Sequence, residues 1–291
     1  MSQIITQFSE ISQNYRAAFV DLWGCVHNGV TAFEEAVKAL QEFRAEGGIV
    51  VLVTNSPRPR AQVAEQLVHF NVPNDAWDTI ATSGDSARVA LFLGTVGDKV
   101  HFIGTPDEQE AFFTAPAVLD NPRTITPAPL SEAEGIVCTG PLDPLAPIED
   151  NRPTLLQGVA RGMKLLCANP DIIVDRGERR EWCAGAVAQL YTDMGGESLY
   201  FGKPHPPIYD LARRRLAQID PSIADQDIIA IGDGINTDVQ GAVGENLDVL
   251  FITGGLAKTE TRTQTQPAPQ ALQHYLTQMQ IFPKYSIGYL R

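Results

Sequence analysis

Residues 228–238 read Ile-Ile-Ala-Ile-Gly-Asp-Gly-Ile-Asn-Thr-Asp, and this stretch decides the fold. Its apolar first part is predicted to be a strand, and its glycine-rich second part carries Asp233 and Asp238. In an open parallel sheet, residues that follow a strand lie at the carboxyl edge, where ligands bind. Two carboxylates on such a loop are the oxygen ligands that Mg²⁺ prefers. The stretch therefore predicts a metal-binding edge of a parallel sheet.

Three other segments place polar residues directly after apolar runs. Asp21 follows the apolar residues at the start of a strand predicted over 17–22, and a carboxylate there can act as a nucleophile. Thr54, Asn55 and Ser56 follow the run 49–53, and their hydroxyl and amide groups can hold phosphate oxygens. Lys203 lies between a glycine and a proline and can place a positive charge. Taken singly, each segment is explained as well by a turn, a helix N-cap or a solvated lysine.

The order of the predicted elements gives the fold class. Apolar runs alternate with helical periodicity at both ends of the chain, for example a helix at 206–217 between strands at 198–201 and 227–231. Such alternation predicts an α/β protein with a Rossmann-like three-layer core and a mainly parallel sheet. The middle of the chain also alternates but contains more prolines and acids, as expected of a separate region.

Composition and charge exclude several classes of protein. The 291 residues carry a formal net charge of −13, which argues against a nucleic-acid or anionic-membrane binder because neither surface attracts an acidic protein. The first thirty residues lack a basic start followed by an apolar run, and the apolar runs are strand-sized, so neither a secretion signal nor a membrane span is expected. The four cysteines form no C-x-x-C pair. We expect a reduced, cytoplasmic protein.

The combination of the four segments resembles the haloacid dehalogenase superfamily. Its motifs are a nucleophilic Asp, a Ser/Thr, a Lys and an acidic pair, and they occur here in that order as Asp21, Thr54, Lys203 and Asp233 with Asp238. Further segments are similar to the NagD-like, p-nitrophenylphosphatase-related class IIA subgroup, namely Thr54-Asn55-Ser56, Thr82-Ser83-Gly84, Asn169-Pro170-Asp171 and Phe201-Gly202-Lys203-Pro204. The resemblance implies a core formed by residues 1–83 and 196–291, with an α/β cap domain inserted at 84–195.

The resemblance also implies roles for individual residues. Asp21 would attack phosphorus and bind Mg²⁺. The other metal ligands implied are the backbone carbonyl of Trp23 and the side chain of Asp233. Asp238 would either bind the metal directly or support the residues that do. Thr54, Asn55 and Ser56 would bind the phosphoryl group, and Lys203 would screen the charge between it and Asp21. Asn169 and Asp171 would face the substrate, although Asn-Pro-Asp also suits a simple turn.

One position departs from the family pattern. The family phosphatases have a second Asp two residues after the nucleophile as general acid–base, and this chain has Trp23. An indole N–H only donates a hydrogen bond, so it cannot exchange a proton with the leaving group. Three accounts remain open: His27 takes over, the substrate has a good leaving group, or catalysis is largely lost. The other interpretation of His27, which the sequence favours, is an exposed loop residue.

These expectations combine into one functional prediction. The chain is predicted to be a Mg²⁺-dependent phosphoric monoester hydrolase that acts on a small phosphorylated metabolite, such as a sugar phosphate, through an aspartyl-phosphate. The missing acid predicts a slow or specialised enzyme. The alternative is a catalytically impaired protein that binds or senses a phosphometabolite. Caps of this kind can dimerise, and the sequence leaves the choice between monomer and homodimer open.

Overall fold

The computed structural model describes residues 2–176 and 179–291. The chain forms two compact units. The first comprises Met1–Thr54, Ala64–Ala81 and Tyr209–Arg291, and the second comprises Asn55–Val63 and Thr82–Ile208. The predicted domain limits at 83/84 and 195/196 stay a proposal.

The strands of the described residues are, in chain order, β1 (Gln3–Ile4), β2 (Ala17–Val20), β3 (Ile49–Thr54), β4 (Thr79–Thr82), β5 (Lys99–Ile103), β6 (Thr126–Pro127), β7 (Gly135–Cys138), β8 (Lys164–Cys167), β9 (Ile173–Arg176), β10 (Arg179–Trp182), β11 (Glu197–Tyr200), β12 (Ile228–Gly232), β13 (Asp248–Ile252) and β14 (Tyr285–Ile287). The α-helices are α1 (Glu34–Ala45), α2 (Arg60–His69), α3 (Ser83–Phe92), α4 (Pro106–Phe112), α5 (Arg152–Ala160), α6 (Ala184–Asp193), α7 (Pro206–Ala217), α8 (Gln240–Gly244) and α9 (Pro269–Met279).

The sheet of the first unit has the strand order β1-β14-β13-β12-β2-β3-β4. The pairs β1 with β14, β14 with β13, β13 with β12, β12 with β2, and β2 with β3 are all parallel. Every residue of β2 and β12 is buried, so both faces of the sheet are covered in its centre. The predicted Rossmann-like arrangement is confirmed.

The second unit contains a parallel sheet in the order β11-β8-β7-β5-β6, and β9 and β10 form a separate antiparallel pair. Alternate residues of its central strands enter two different apolar clusters. Ile136 and Leu165 pack with α6 residues such as Val187, whereas Val137 packs with α3 residues such as Leu91. This alternation shows helices on both faces of the sheet, as in any α/β three-layer structure.

Most predicted elements are present with ends shifted by one or two residues. The predicted strand 198–201 is β11, and it pairs with β8 in the second unit's sheet rather than continuing the core pattern. After β12, a π-helical turn at Ile235–Val239 leads directly into α8. Within the described residues, no helix has the length and apolar character needed to cross a bilayer. The four cysteines are buried and form no disulfide.

Candidate active site

The two central strands of the first sheet deliver two aspartates to the same edge. Val20 of β2 pairs with Ile231 of β12, and both strands run in the same direction. Asp21 therefore leaves β2 beside the end of β12, and its N–H donates to the Ile231 carbonyl at 2.8 Å. Asp233 follows the last residue of β12. The structure thus brings together the two carboxylates that the family resemblance implies as ligands of one metal ion.

A third group joins them. One carboxylate oxygen each of Asp21 and Asp233 and the sulfur of Cys25 all lie within 4.8 Å of one another, and all three residues are buried. Asp21 is only 8% exposed, so it is largely shielded from bulk solvent. Sequence reasoning missed Cys25. Its place four residues after Asp21 was the only signal in the sequence, since the cysteines have no metal-like spacing.

The carboxylate of Asp233 lies against backbone. Its Oδ2 accepts a hydrogen bond from the Leu256 N–H at 3.0 Å. A Cβ added at Gly24 or at Gly255 would collide with this carboxylate, and Gly24 has a φ of +77°, which side chains rarely adopt. Glycines at both positions are therefore what allows Asp233 its place at the strand end.

Asp238 lies on the same loop and organises it. Its Oδ2 accepts from the Gly234 N–H at 3.0 Å and from the Thr237 hydroxyl at 3.3 Å. Asp238 is buried, and the close approach of its side chain to Gly232 leaves no space for a Cβ there. These contacts support the turn that carries Asp233, which is the supporting role that the sequence left open for Asp238.

The loop after Asp21 is compact. The Gly24 N–H donates to the His27 carbonyl at 2.9 Å, and the Val26 N–H donates to the Leu22 carbonyl at 2.8 Å. Trp23 is half-buried, and its indole occupies the space where a Cβ on Gly29 would lie. The loop thus fixes a large apolar ring two residues after Asp21, where the family phosphatases carry an acid.

His27 is 3% exposed, so the interpretation of an exposed loop residue is wrong. Its Nδ1 accepts the Gly29 N–H at 3.0 Å, and its ring packs against Phe70 with centroids 4.8 Å apart. Burial lowers the pKa of His27 to about 4, because the charged imidazolium is poorly solvated there. At neutral pH the ring is uncharged with Nδ1 engaged, which makes it a poor proton donor.

Thr54 ends β3, and it is buried in the first unit with the aspartates. The remaining predicted site residues belong to the second unit. Ser56 serves its own turn, because its carbonyl accepts the Gly84 N–H at 3.0 Å and its hydroxyl accepts the Arg58 N–H at 3.3 Å. These contacts stabilise a turn that precedes α2, which begins at Arg60.

Asn55, Asn169, Asp171 and Lys203 form one hydrogen-bonded group in the second unit. The Asn55 side chain bonds to the main chain of Lys203 and to the Asp171 carboxylate, and Asn169 Oδ1 accepts the Asp171 N–H at 3.0 Å. Asn55 and Lys203 are buried. The structure therefore brings together four residues that the sequence had singled out in three separate segments.

Several known proteins are similar to this chain in sequence or in fold. The family model for haloacid dehalogenase-like hydrolases matches residues 18–115, and a related HAD-like hydrolase model matches residues 200–279. The 5′-nucleotidase YutF of Bacillus subtilis is 25% identical over 259 residues, which are 88% of this chain and 94% of that protein.

Two solved phosphatase structures share the fold of this chain. The p-nitrophenyl phosphatase of Archaeoglobus fulgidus shares the fold with a TM-score of 0.69 at 21% identity, over 95% of this chain and 97% of that one. The glycerol phosphate phosphatase Rv1692 of Mycobacterium tuberculosis, solved with magnesium, shares it with a TM-score of 0.63 at 22% identity, over 84% of this chain and 70% of that one.

A hydrolase of the haloacid dehalogenase-like family from Brucella suis 1330 matches with a TM-score of 0.84 and 38% identity. The match spans 99% of this chain and the whole of the Brucella chain. Together with the two family models, this identity confirms the enzyme class that the four motifs predicted. The chain belongs to the haloacid dehalogenase-like hydrolase family.

Proposed function

We propose that this chain is a Mg²⁺-dependent phosphatase that hydrolyses a small phosphate monoester, of the sugar phosphate class, through an aspartyl-phosphate on Asp21. The observation that carries the proposal is the pairing of the buried Asp21 and Asp233 carboxylates at adjacent strand ends. The magnesium-bound phosphatase that shares the fold, and the phosphatase and nucleotidase relatives, support the reaction class and the metal.

The residues present fit a magnesium ion. Two buried carboxylates within 4.8 Å of each other repel unless a cation lies between them or one takes up a proton. Carboxylate oxygens suit Mg²⁺, whereas the Cys25 thiol suits softer metals. Asp21, the Trp23 carbonyl and Asp233 would hold the ion, with Asp238 supporting the loop. Bound there, Mg²⁺ would supply positive charge for the phosphoryl oxygens.

The proposed reaction has two steps, and Asp21 takes part in both. An Asp21 carboxylate oxygen attacks phosphorus, and the bond from phosphorus to the ester oxygen breaks, so the alcohol leaves as an alkoxide that needs a proton. Water then attacks the phosphorus of the aspartyl-phosphate, which restores Asp21 and releases inorganic phosphate. Thr54 and the Asn55 N–H would bind the phosphoryl oxygens, and Lys203 would neutralise charge. Asn55 and Lys203 enter this scheme through the family's motif order alone.

The proton for the leaving group is the weak point of this scheme. Trp23 cannot supply it, and His27 is uncharged at neutral pH with its Nδ1 engaged. General acid–base catalysis contributes typically about 10²–10⁴-fold, so we propose an enzyme that is slow on alkyl phosphates and faster on esters with acidic leaving groups. The same observation favours the second candidate, a catalytically impaired protein that binds or senses a phosphometabolite.

The test is phosphate release with Mg²⁺ from a panel of sugar phosphates, nucleoside monophosphates, glycerol phosphate and p-nitrophenyl phosphate. Asp21→Asn should abolish release, whereas the matched control Asp210→Asn, on the exposed side of α7, should not. Beryllium fluoride, a phosphoryl mimic, should bind the wild type only when Mg²⁺ is present. Metal-independent binding with no turnover of any ester would reject the phosphatase and establish the binding protein.

A further inference from the structure

The side-chain amide of Asn55 bonds both main-chain groups of Lys203. The Lys203 N–H donates to Asn55 Oδ1 at 2.7 Å, and Asn55 Nδ2 donates to the Lys203 carbonyl at 3.1 Å. Two bonds from one planar amide fix the peptide groups on both sides of the lysine. Asn55 is 4% exposed and Lys203 is 3% exposed, so water does not compete strongly for these groups.

The carboxylate of Asp171 fixes the orientation of that amide. Asn55 Nδ2 also donates to Asp171 Oδ1 at 2.8 Å, which uses its second hydrogen. With the amide rotated by half a turn, the Asn55 carbonyl oxygen would face the carboxylate and the bond would be lost. Asp171 thereby selects the one orientation in which Asn55 matches the Lys203 main chain.

Close packing leaves the lysine segment little freedom to move. A Cβ added at Gly202 would collide with Asn55 Oδ1 and would lie 2.6 Å from Pro170 Cδ and 2.7 Å from Ser83 Oγ. The backbone at Gly202 therefore lies directly against the Asn55 amide and its neighbours, and the position of Lys203 is determined by this contact.

We propose that Asn55 is a positioning residue for Lys203, and that Asp171 acts through Asn55. The inference rests on the proposed function and deepens it, because it gives the Asn55 side chain a task separate from the phosphate contact of its backbone N–H. Electrostatic stabilisation depends on placing the charged group correctly, and an error of about 1 Å can cost about 10²-fold in rate.

A double-mutant cycle tests the proposal. Asn55→Ala should lower kcat on p-nitrophenyl phosphate by about 10-fold or more, with a smaller change in KM, because the transition-state charge is affected most. In the Lys203→Met background the same substitution should change kcat by less than about 3-fold, because the group it positions is gone. Full, independent losses in both backgrounds would overturn the proposal.

Conservative and matched variants separate positioning from general damage. Asp171→Asn keeps an oxygen that can accept from Asn55 Nδ2 and should therefore retain more activity than Asp171→Leu, which should resemble Asn55→Ala. Asn151→Ala removes another amide of the second unit, one that donates to the Ile148 carbonyl at 2.9 Å. It should leave kcat unchanged, and a loss in this variant equal to that of Asn55→Ala would overturn the proposal.

Binding of inorganic phosphate with Mg²⁺, measured by calorimetry through the same cycle, does not require turnover. Asn55→Ala should weaken phosphate binding in the wild-type background and have little effect beside Lys203→Met. An active wild type with an additive cycle rejects the positioning role alone. A wild type that neither turns over an ester nor binds phosphate rejects both the positioning role and the proposed function.

Discussion

The indole of Trp23 lies edge-on to the imidazole of His27, with ring centroids 5.3 Å apart and an interplanar angle of 73°. Such a T-shaped pair is a favourable aromatic geometry that is worth about 0.5–1.5 kcal/mol beyond the area that it buries. Trp23, at the position of the family's acid, and His27, the candidate replacement for that acid, therefore pack against each other. The loop is built for packing at the position where the family's phosphatases carry an acid.

Replacing Trp23 should restore the missing proton transfer. Trp23→Asp places a carboxylic acid two residues after Asp21, so phosphate release from an alkyl phosphate should rise by about 10- to 100-fold. This is less than the full acid–base contribution because the indole packing is lost. The matched control Trp23→Asn removes the same ring without adding an acid and should not gain activity. Equal rates for the two variants would show that the acid position is not what limits the enzyme.

Gly24 and Gly47 offer a paired test of the Asp233 site. Both have positive φ angles, but a Cβ at Gly24 would collide with the Asp233 carboxylate, whereas a Cβ at Gly47 would meet nothing within 4 Å. Gly47→Ala should cost only the backbone strain, about 1 kcal/mol of unfolding free energy. Gly24→Ala should cost more and should weaken Mg²⁺ binding at least about 10-fold in calorimetry. Unchanged Mg²⁺ affinity in Gly24→Ala would contradict the described packing.

Magnesium should stabilise the fold through the two aspartates. A ligand that binds only the native state stabilises it by about 2.7 kcal/mol at a concentration of 100 times its Kd. The wild type should therefore show a higher Tm in Mg²⁺ than in EDTA, and Asp233→Asn should lose most of that difference. Asp210→Asn provides the exposed control. A Tm increase of the same size in Asp233→Asn would place the stabilising ion elsewhere.

The buried His27 predicts a pH dependence of stability. Its pKa falls from 6.5 to about 4 on folding, so between these values the unfolded state binds the extra proton. Stability is then fully present above the unfolded pKa and declines as the pH falls toward the folded one. Between pH 7 and pH 5 the loss from this group is about 2 kcal/mol.

Urea unfolding in EDTA at several pH values measures the effect without bound metal. His27→Asn retains an oxygen that can accept the Gly29 N–H but does not titrate in this range, so its stability should depend less on pH by that amount. If the stability of the wild type and of the variant depended on pH to the same extent, His27 would not be the group responsible for the loss of stability at low pH.

The sequence predicted the elements that depend on local pattern. The apolar runs before Asp21, Thr54 and Asp233 are strands. That Asp21 and Asp233 share one site was implied by the resemblance to the family, and the pairing of β2 with β12 brings them together. Pairing partners are a different matter, since the run 198–201 looks like a core strand but pairs with β8. The short strand β14 and helix α9 near the end of the chain also went unpredicted.

The contacts that the sequence missed are those that depend on chain segments far apart. The Asn55 amide meets Asp171 across 116 positions and Lys203 across 148, and no local pattern encodes either distance. His27 packs against Phe70, which follows the end of α2 and is distant in sequence. The local sequence around His27 does not encode this contact, so it favoured an exposed loop residue. Cys25 carried no metal-like spacing and became visible only when the loop folded back beside Asp233.

The Trp23 indole, which packs against Gly29, also makes this loop accessible to fluorescence measurements. The chain has three tryptophans, and Trp23 is the one that lies two residues from Asp21 and beside an imidazole. Tryptophan emission responds to the polarity and charge around the ring, so the arrival of a cation or an anion at the strand end changes the signal of this side chain. The residue that removes a proton donor from the active-site loop thereby provides a native fluorophore there, with no label attached.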